Sequence, residues 1–128
     1  MNMESILREP LVDQEQMDML IETGEGAAAE LLEELLGLFV GEADPQLAEL
    51  TTVIAEENRE RVGRLAHALA GSSANLGALR LSQIARKIER SAPTATGGEL
   101  LEWSAYLRSC YKESVELFKT QIASLRAS

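Results

Sequence analysis

The chain has one cysteine, one histidine, three prolines, five aromatic residues in 128, and twelve basic residues against twenty-one acidic ones. Each scarcity excludes something. A lone Cys110 forms no internal disulfide; with Leu107 and Tyr111 at helical spacing it reads as a half-buried packing thiol rather than a reactive one. The 4% aromatic share leaves a core of Leu, Ile, Val and Ala, which favours helices. A net charge of -9 and a pI near 4.6 exclude a nucleic-acid partner, since phosphate-backbone affinity needs clustered Lys and Arg. No stretch approaches the roughly 20 apolar residues that span a bilayer. Residues 1–20 carry Glu4, Arg8, Glu9, Asp13, Glu15 and Asp18, so they lack the apolar centre of a signal peptide. No membrane partner and a cytoplasmic location are therefore expected.

A length of 128 residues accommodates one domain with a single core, residues 1–128. Breakers divide it into helices, and no segment shows strand alternation. Residues 1–12 are expected to be loosely ordered. A short helix covers about Gln14 to Glu22, ended by Gly24 and Gly26, with Met17, Leu20 and Ile21 on one face. A second runs from about Ala27 to Gly41 with Leu32, Leu35, Leu36 and Phe39 inward. Asp44-Pro45 then reads as an N-cap and first-turn proline, starting a further segment after a kink, with Leu47, Leu50 and Ile54 inward. Asn58 caps the next helix, which extends to Leu76 before a Gly77 stop. Another covers about Leu79 to Arg90, burying Leu81, Ile84 and Ile88, and stops at Pro93 and Gly97-Gly98. The last runs from about Glu99 to Leu125 with Leu100, Trp103, Leu107, Tyr111, Phe118, Ile122 and Leu125 along one stripe. The fold class is all-α: an antiparallel four-helix bundle over residues 27–126 with an additional N-terminal helix.

On the helix from Asn58 to Leu76, Val62, Leu65, Leu69 and Leu76 form an apolar seam. At about 100° per residue His67 lies roughly opposite that seam and faces outward, which disfavours a core histidine. An ordinary surface histidine remains the competing reading. Against it, the outward side carries Gly63, Ala70, Gly71, Ala74 and Ala78, where a helix facing only water carries Lys, Glu and Gln. Small residues around an exposed imidazole form a docking platform for another protein. Gly71, one turn after His67, costs about 1 kcal/mol in helix propensity relative to Ala and clears space for a group on the ring.

An ordinary imidazole titrates near about 6.5, so an exposed one is mostly uncharged and nucleophilic at neutral pH. It can hold a phosphoryl group as a phosphoramidate. Other chemistries fit less well. Ser72 and Ser73 have no second histidine for a catalytic triad, and Ser72 falls on the seam. One histidine cannot furnish the two Glu-x-x-His pairs of a carboxylate-bridged metal bundle, zinc-finger spacing is absent, and Glu25-Gly26 and Gly97-Gly98 make no phosphate-cradling loop. No metal site is expected, and no ATP site for autokinase activity is visible.

The run His67-Ala68-Leu69-Ala70-Gly71-Ser72-Ser73-Ala74-Asn75-Leu76-Gly77-Ala78 resembles the phosphorylation-site helix of the histidine phosphotransfer (HPt) family of two-component phosphorelays. Leu79, Leu81, Ile84, Ile88 and Glu89 are similar to that family's following helix, and the likeness covers nearly the whole chain. The resemblance implies an HPt-like bundle with His67 as phosphoryl acceptor. It implies relay between the aspartates of response-regulator receiver domains, with a hybrid sensor kinase upstream, no cofactor in this chain, and magnesium on the receiver. Such a protein is a phosphotransfer intermediate rather than an ordinary enzyme. Ser72, Ser73 and Gly77 occupy small-residue positions, with close packing the better reading for the serines. The family usually carries a lysine three residues after the histidine, where this chain has Ala70. Arg64, one turn before His67, or Arg86, Lys87 and Arg90 on the next helix are the candidates to support the phosphate in its place. The alternative is a degenerate module that docks receivers without transfer. The start methionine and full set of helices favour a free-standing monomer.

Overall fold

Asn2, Asp13 and Asn58 each turn a side-chain oxygen onto the backbone N–H three residues ahead, at 2.9, 3.2 and 3.2 Å, and each opens a helix. The computed structural model describes residues 1–127. Among them are six helices: α1 (Met3–Ile6), α2 (Gln14–Thr23), α3 (Ala28–Ala55), α4 (Arg59–Leu76), α5 (Leu79–Ser91) and α6 (Gly97–Ala127). The described residues include no strand, only an isolated antiparallel bridge between Val12 and Ala78. No helix among them is long and apolar enough to cross a membrane.

Helices α3 to α6 form the bundle, and side-chain pairs fix its sense. Between α3 and α6 the partners are Glu33–Arg126, Asp44–Tyr111 and Thr51–Arg108, so one number rises as the other falls. The same opposition holds between α3 and α4, where Glu49 meets Arg61 and Leu38 lies by Asn75, between α4 and α5 for Arg59–Ala92 and His67–Glu89, and between α5 and α6 for Arg80–Glu113 and Lys87–Trp103. All four neighbouring pairs of the bundle are antiparallel. Leu32, Leu50, Val62, Leu69, Leu81, Ile84, Ile88, Leu107 and Phe118 fill the centre, each large side chain contributing about 1.5–3 kcal/mol by leaving water. Cys110 is fully buried there, not half-buried, and burial pushes its thiol pKa up, away from reactivity.

Two further expectations fail. Asp44-Pro45 neither caps nor restarts a helix, because α3 runs unbroken through Pro45. The Asp44 carboxylate instead accepts from the Tyr111 hydroxyl at 2.6 Å. The carbonyl that Pro45 leaves without its helical donor belongs to Gly41, which is exposed and open to water. Residues 1–12 are also not loose: Met3 and Ile6 are buried where α1 packs on α5, and the Arg80 guanidinium donates to the Glu9 carbonyl at 2.7 Å. The signal lay in Met3 and Ile6, whose i, i+3 spacing makes a one-turn apolar face.

Candidate functional site

Helix α4 is fixed at both ends. Asn58 caps its start, and Gly77 closes it at a φ of 92°, in the left-handed region. A Cβ at Gly77 would only come into ordinary contact with Gln16 of α2, so it is the backbone conformation that favours glycine; the Gln16 amide donates to the Asn75 carbonyl at 2.8 Å. His67 stands midway, its side chain 76% exposed.

Its Nδ1 lies 2.7 Å from Oε2 of Glu89 on α5. A carboxylate only accepts, so Nδ1 carries the proton and donates, and the lone pair of the neutral ring sits on Nε2, directed outward. Glu89 is 30% exposed and thus partly held by its surroundings. In the sequence Glu89 lies within the family-like helix without a role, because periodicity shows which face of its own helix a residue occupies and not what stands opposite.

Counting about 100° per residue from His67, Gly71 lies near 40°, Arg64 near 60°, Asn75 near 80° and Ala68 near 100° on one side, all exposed. On the other side, Ala70 near 60° and Ala66 and Ser73 beyond it are buried. The outward face is therefore lopsided. The docking platform expected at Ala70 and Ala78 does not form: Ala70 is 2% and Ala78 0% exposed. Ala70, Ala66 and Ser73 are small because α4 and α5 approach closely, and Ala78 is locked in the turn between them. The Ser73 hydroxyl is satisfied by the Leu69 carbonyl. Gly63 and Ala74 are half-buried at the edge of this seam. The open side runs instead toward α3, where a groove of about 150 Å³ between the helices is lined by Ser72, Asn75 and Leu38, the last 63% exposed. Leu38 was legible as an apolar residue off the stripe of its own helix.

The expected phosphate-supporting cations are dispersed. Arg64 is exposed and rests 3.5 Å from Glu60, a surface pair worth little. Lys87 places its Nζ 5.7 Å from the centre of the Trp103 ring. Arg86 and Arg90, with Lys87, line a cleft between α5 and α1. No group of three or more His, Cys, Asp or Glu among the described residues is placed to hold a metal ion.

The class of the bundle follows from its likeness to known proteins. Residues 34–128 match the Hpt domain family model. The chain belongs to the Hpt domain family, whose members act in two-component phosphorelays and interact with receiver domains. Two solved structures share the fold. Histidine-containing phosphotransfer protein B (HptB) from Pseudomonas aeruginosa PAO1 is 22% identical with a TM-score of 0.76, covering 90% of this chain and 96% of its own. A putative histidine-containing phosphotransfer protein from rice is 23% identical with a TM-score of 0.79, covering 98% and 93%. A search of curated proteins returned no match.

Proposed function

We propose that this chain carries a phosphoryl group on Nε2 of His67, taking it from the aspartyl phosphate of one receiver domain and giving it to the aspartate of another, with a hybrid sensor kinase upstream. The observation that carries this reading is the 2.7 Å bond from Nδ1 to Glu89, which leaves Nε2 bare on an exposed face. In the forward step the Nε2 lone pair attacks phosphorus, the phosphorus–oxygen bond to the aspartate breaks, and the carboxylate leaves with that electron pair. The positive charge arising on the ring is balanced by Glu89 through the Nδ1 proton. Attack by a second aspartate reverses the sequence and restores the neutral ring.

Gly63 and Gly71 support a docked partner. A Cβ at either would meet nothing within 4 Å in this chain, so its own packing does not require glycine there, although each costs about 1 kcal/mol relative to Ala. Ala68, Gly71, Asn75 and exposed Leu38 extend the accessible face from His67 toward α3. Arg64, held only by a weak surface pair, is free to swing toward the phosphoryl oxygens. The buried, uncharged Ala70 favours a second reading, a module that docks receivers without transfer. The Glu89 bond weighs for the first, since docking alone has no need of a fixed tautomer.

Incubation with a phosphorylated receiver is expected to give acid-labile, alkali-stable phosphate on this chain, absent in His67→Gln. Failure of every receiver from the same organism to transfer would overturn the proposal, and full receiver-dependent activity of His67→Ala would establish the docking module.

A further inference from the structure

In a chain with twenty-one acidic residues against twelve basic ones carboxylates are in excess, yet among the described residues only half of the Lys and Arg side chains pair with one. Arg8, Arg61, Arg64, Arg80, Lys119 and Arg126 do so. Of the others, Arg59 donates to backbone carbonyls and Arg108 to Thr51, and Lys112 is isolated in sequence from the rest, whereas Arg86, Lys87 and Arg90 are clustered within five residues of one helix, where like charges repel, with no carboxylate partner among the described residues. The one acid within this stretch, Glu89, is engaged by His67. Measured around α5 from Glu89, Arg86 lies at about 60°, Arg90 at about 100° and Lys87 at about 160°, so the three turn progressively away from the His67 site.

These cations line a cleft of about 280 Å³ whose further walls include Gln83 and Ser91 of α5 and Ile6 of α1. Gln83 Oε1 is buried there without a hydrogen-bond partner. The cleft presents two guanidinium forks, an ammonium and a hydroxyl around a space near the lower limit for small-molecule pockets, about 300 Å³.

We propose that the α1–α5 cleft is an anion site for a phosphate group, either free phosphate or the diphosphate of a small molecule. Two planar guanidiniums can each pair with two oxygens of one phosphate, a match that a carboxylate exploits less fully. The site is separate from His67 and does not depend on phosphotransfer.

The test is a titration of the ¹⁵N-labelled full chain with inorganic pyrophosphate at constant ionic strength, observing backbone amides, the arginine Nε–H groups and the Gln83 side-chain amide. Saturable shifts confined to Gln83, Arg86, Arg90 and Ser91 are expected, unchanged in His67→Gln and weakened about tenfold or more in the Arg86→Gln, Arg90→Gln double variant. Adenosine diphosphate and succinate complete the set. Tighter binding of adenosine diphosphate than of pyrophosphate identifies a nucleotide as the source, and equal binding identifies the phosphate alone. Succinate binding as well as pyrophosphate would overturn the phosphate assignment. So would non-saturating shifts shared with Arg8 and Lys112, which mark general screening.

Discussion

The bond between Glu89 and His67 makes the two imidazole nitrogens inequivalent, and that inequivalence is measurable. In Glu89→Ala the ring loses both its orientation and the charge that balances it during attack. A hydrogen bond to a charged partner contributes about 1.5–3 kcal/mol, so transfer to His67 is expected to slow about ten- to a hundredfold, with receiver affinity little changed. Long-range ¹⁵N spectra should show the proton on Nδ1 in the parent chain and redistributed between the nitrogens in Glu89→Ala. An unchanged tautomer and an unchanged rate would remove Glu89 from the mechanism. At this scale the sequence revealed His67 and its outward direction, because four seam residues on its own helix determine that angle. It did not reveal Glu89 as a partner or the burial of Ala70, since both depend on which side of α4 is covered by α5.

Among elements, the α5–α6 connection shows how a polar side chain replaces helical bonds that the backbone cannot make. The last carbonyls of a helix have no internal partner. Here the Arg59 guanidinium, at the start of α4, reaches across to the carbonyls of Ala92 and Ala95 at 2.7 and 2.5 Å. Ala92 and Ala95 are both buried, so water cannot readily take over. Arg59→Ala is expected to lower stability by about 1.5–3 kcal/mol, read as a shifted urea midpoint, while phosphotransfer by the folded fraction is retained. A midpoint within error of the parent would show that these carbonyls find other donors. Helix boundaries were mostly legible because Asn58, Gly77 and the apolar stripes act locally. Pro45 was misleading for the opposite reason: Asp-Pro is a strong local start signal, overridden by the tertiary burial of Phe39, Ala43 and Leu47 along a single α3.

For the whole molecule, the two longest helices are joined at mid-height by Tyr111, whose ring packs on Phe39 at 5.8 Å and whose hydroxyl donates to Asp44. Burial first, and then the bond to the Asp44 carboxylate and its charge, push the Tyr111 pKa well above the ordinary 10.0. The sign of the linkage follows from which state holds the proton more tightly. Below about pH 10 both folded and unfolded chains keep the phenol protonated, and this group makes stability independent of pH. Above it, the unfolded chain releases the proton while the folded chain does not, so stability falls as pH rises through the folded value. The urea midpoint of the parent protein should therefore decline steadily from about pH 10 upward. Tyr111→Phe should be less stable at pH 7 by about 1 kcal/mol, the worth of one hydrogen bond to an acceptor that water can re-solvate. Its alkaline decline should be shallower, because the phenol that titrates is gone. A residual slope is expected from Tyr106, whose pKa is also raised by its bond to Glu102. Curves that fall in parallel for the parent and Tyr111→Phe would show that the α3–α6 tie does not govern alkaline unfolding, leaving the half-buried Tyr106 and the basic side chains to account for it.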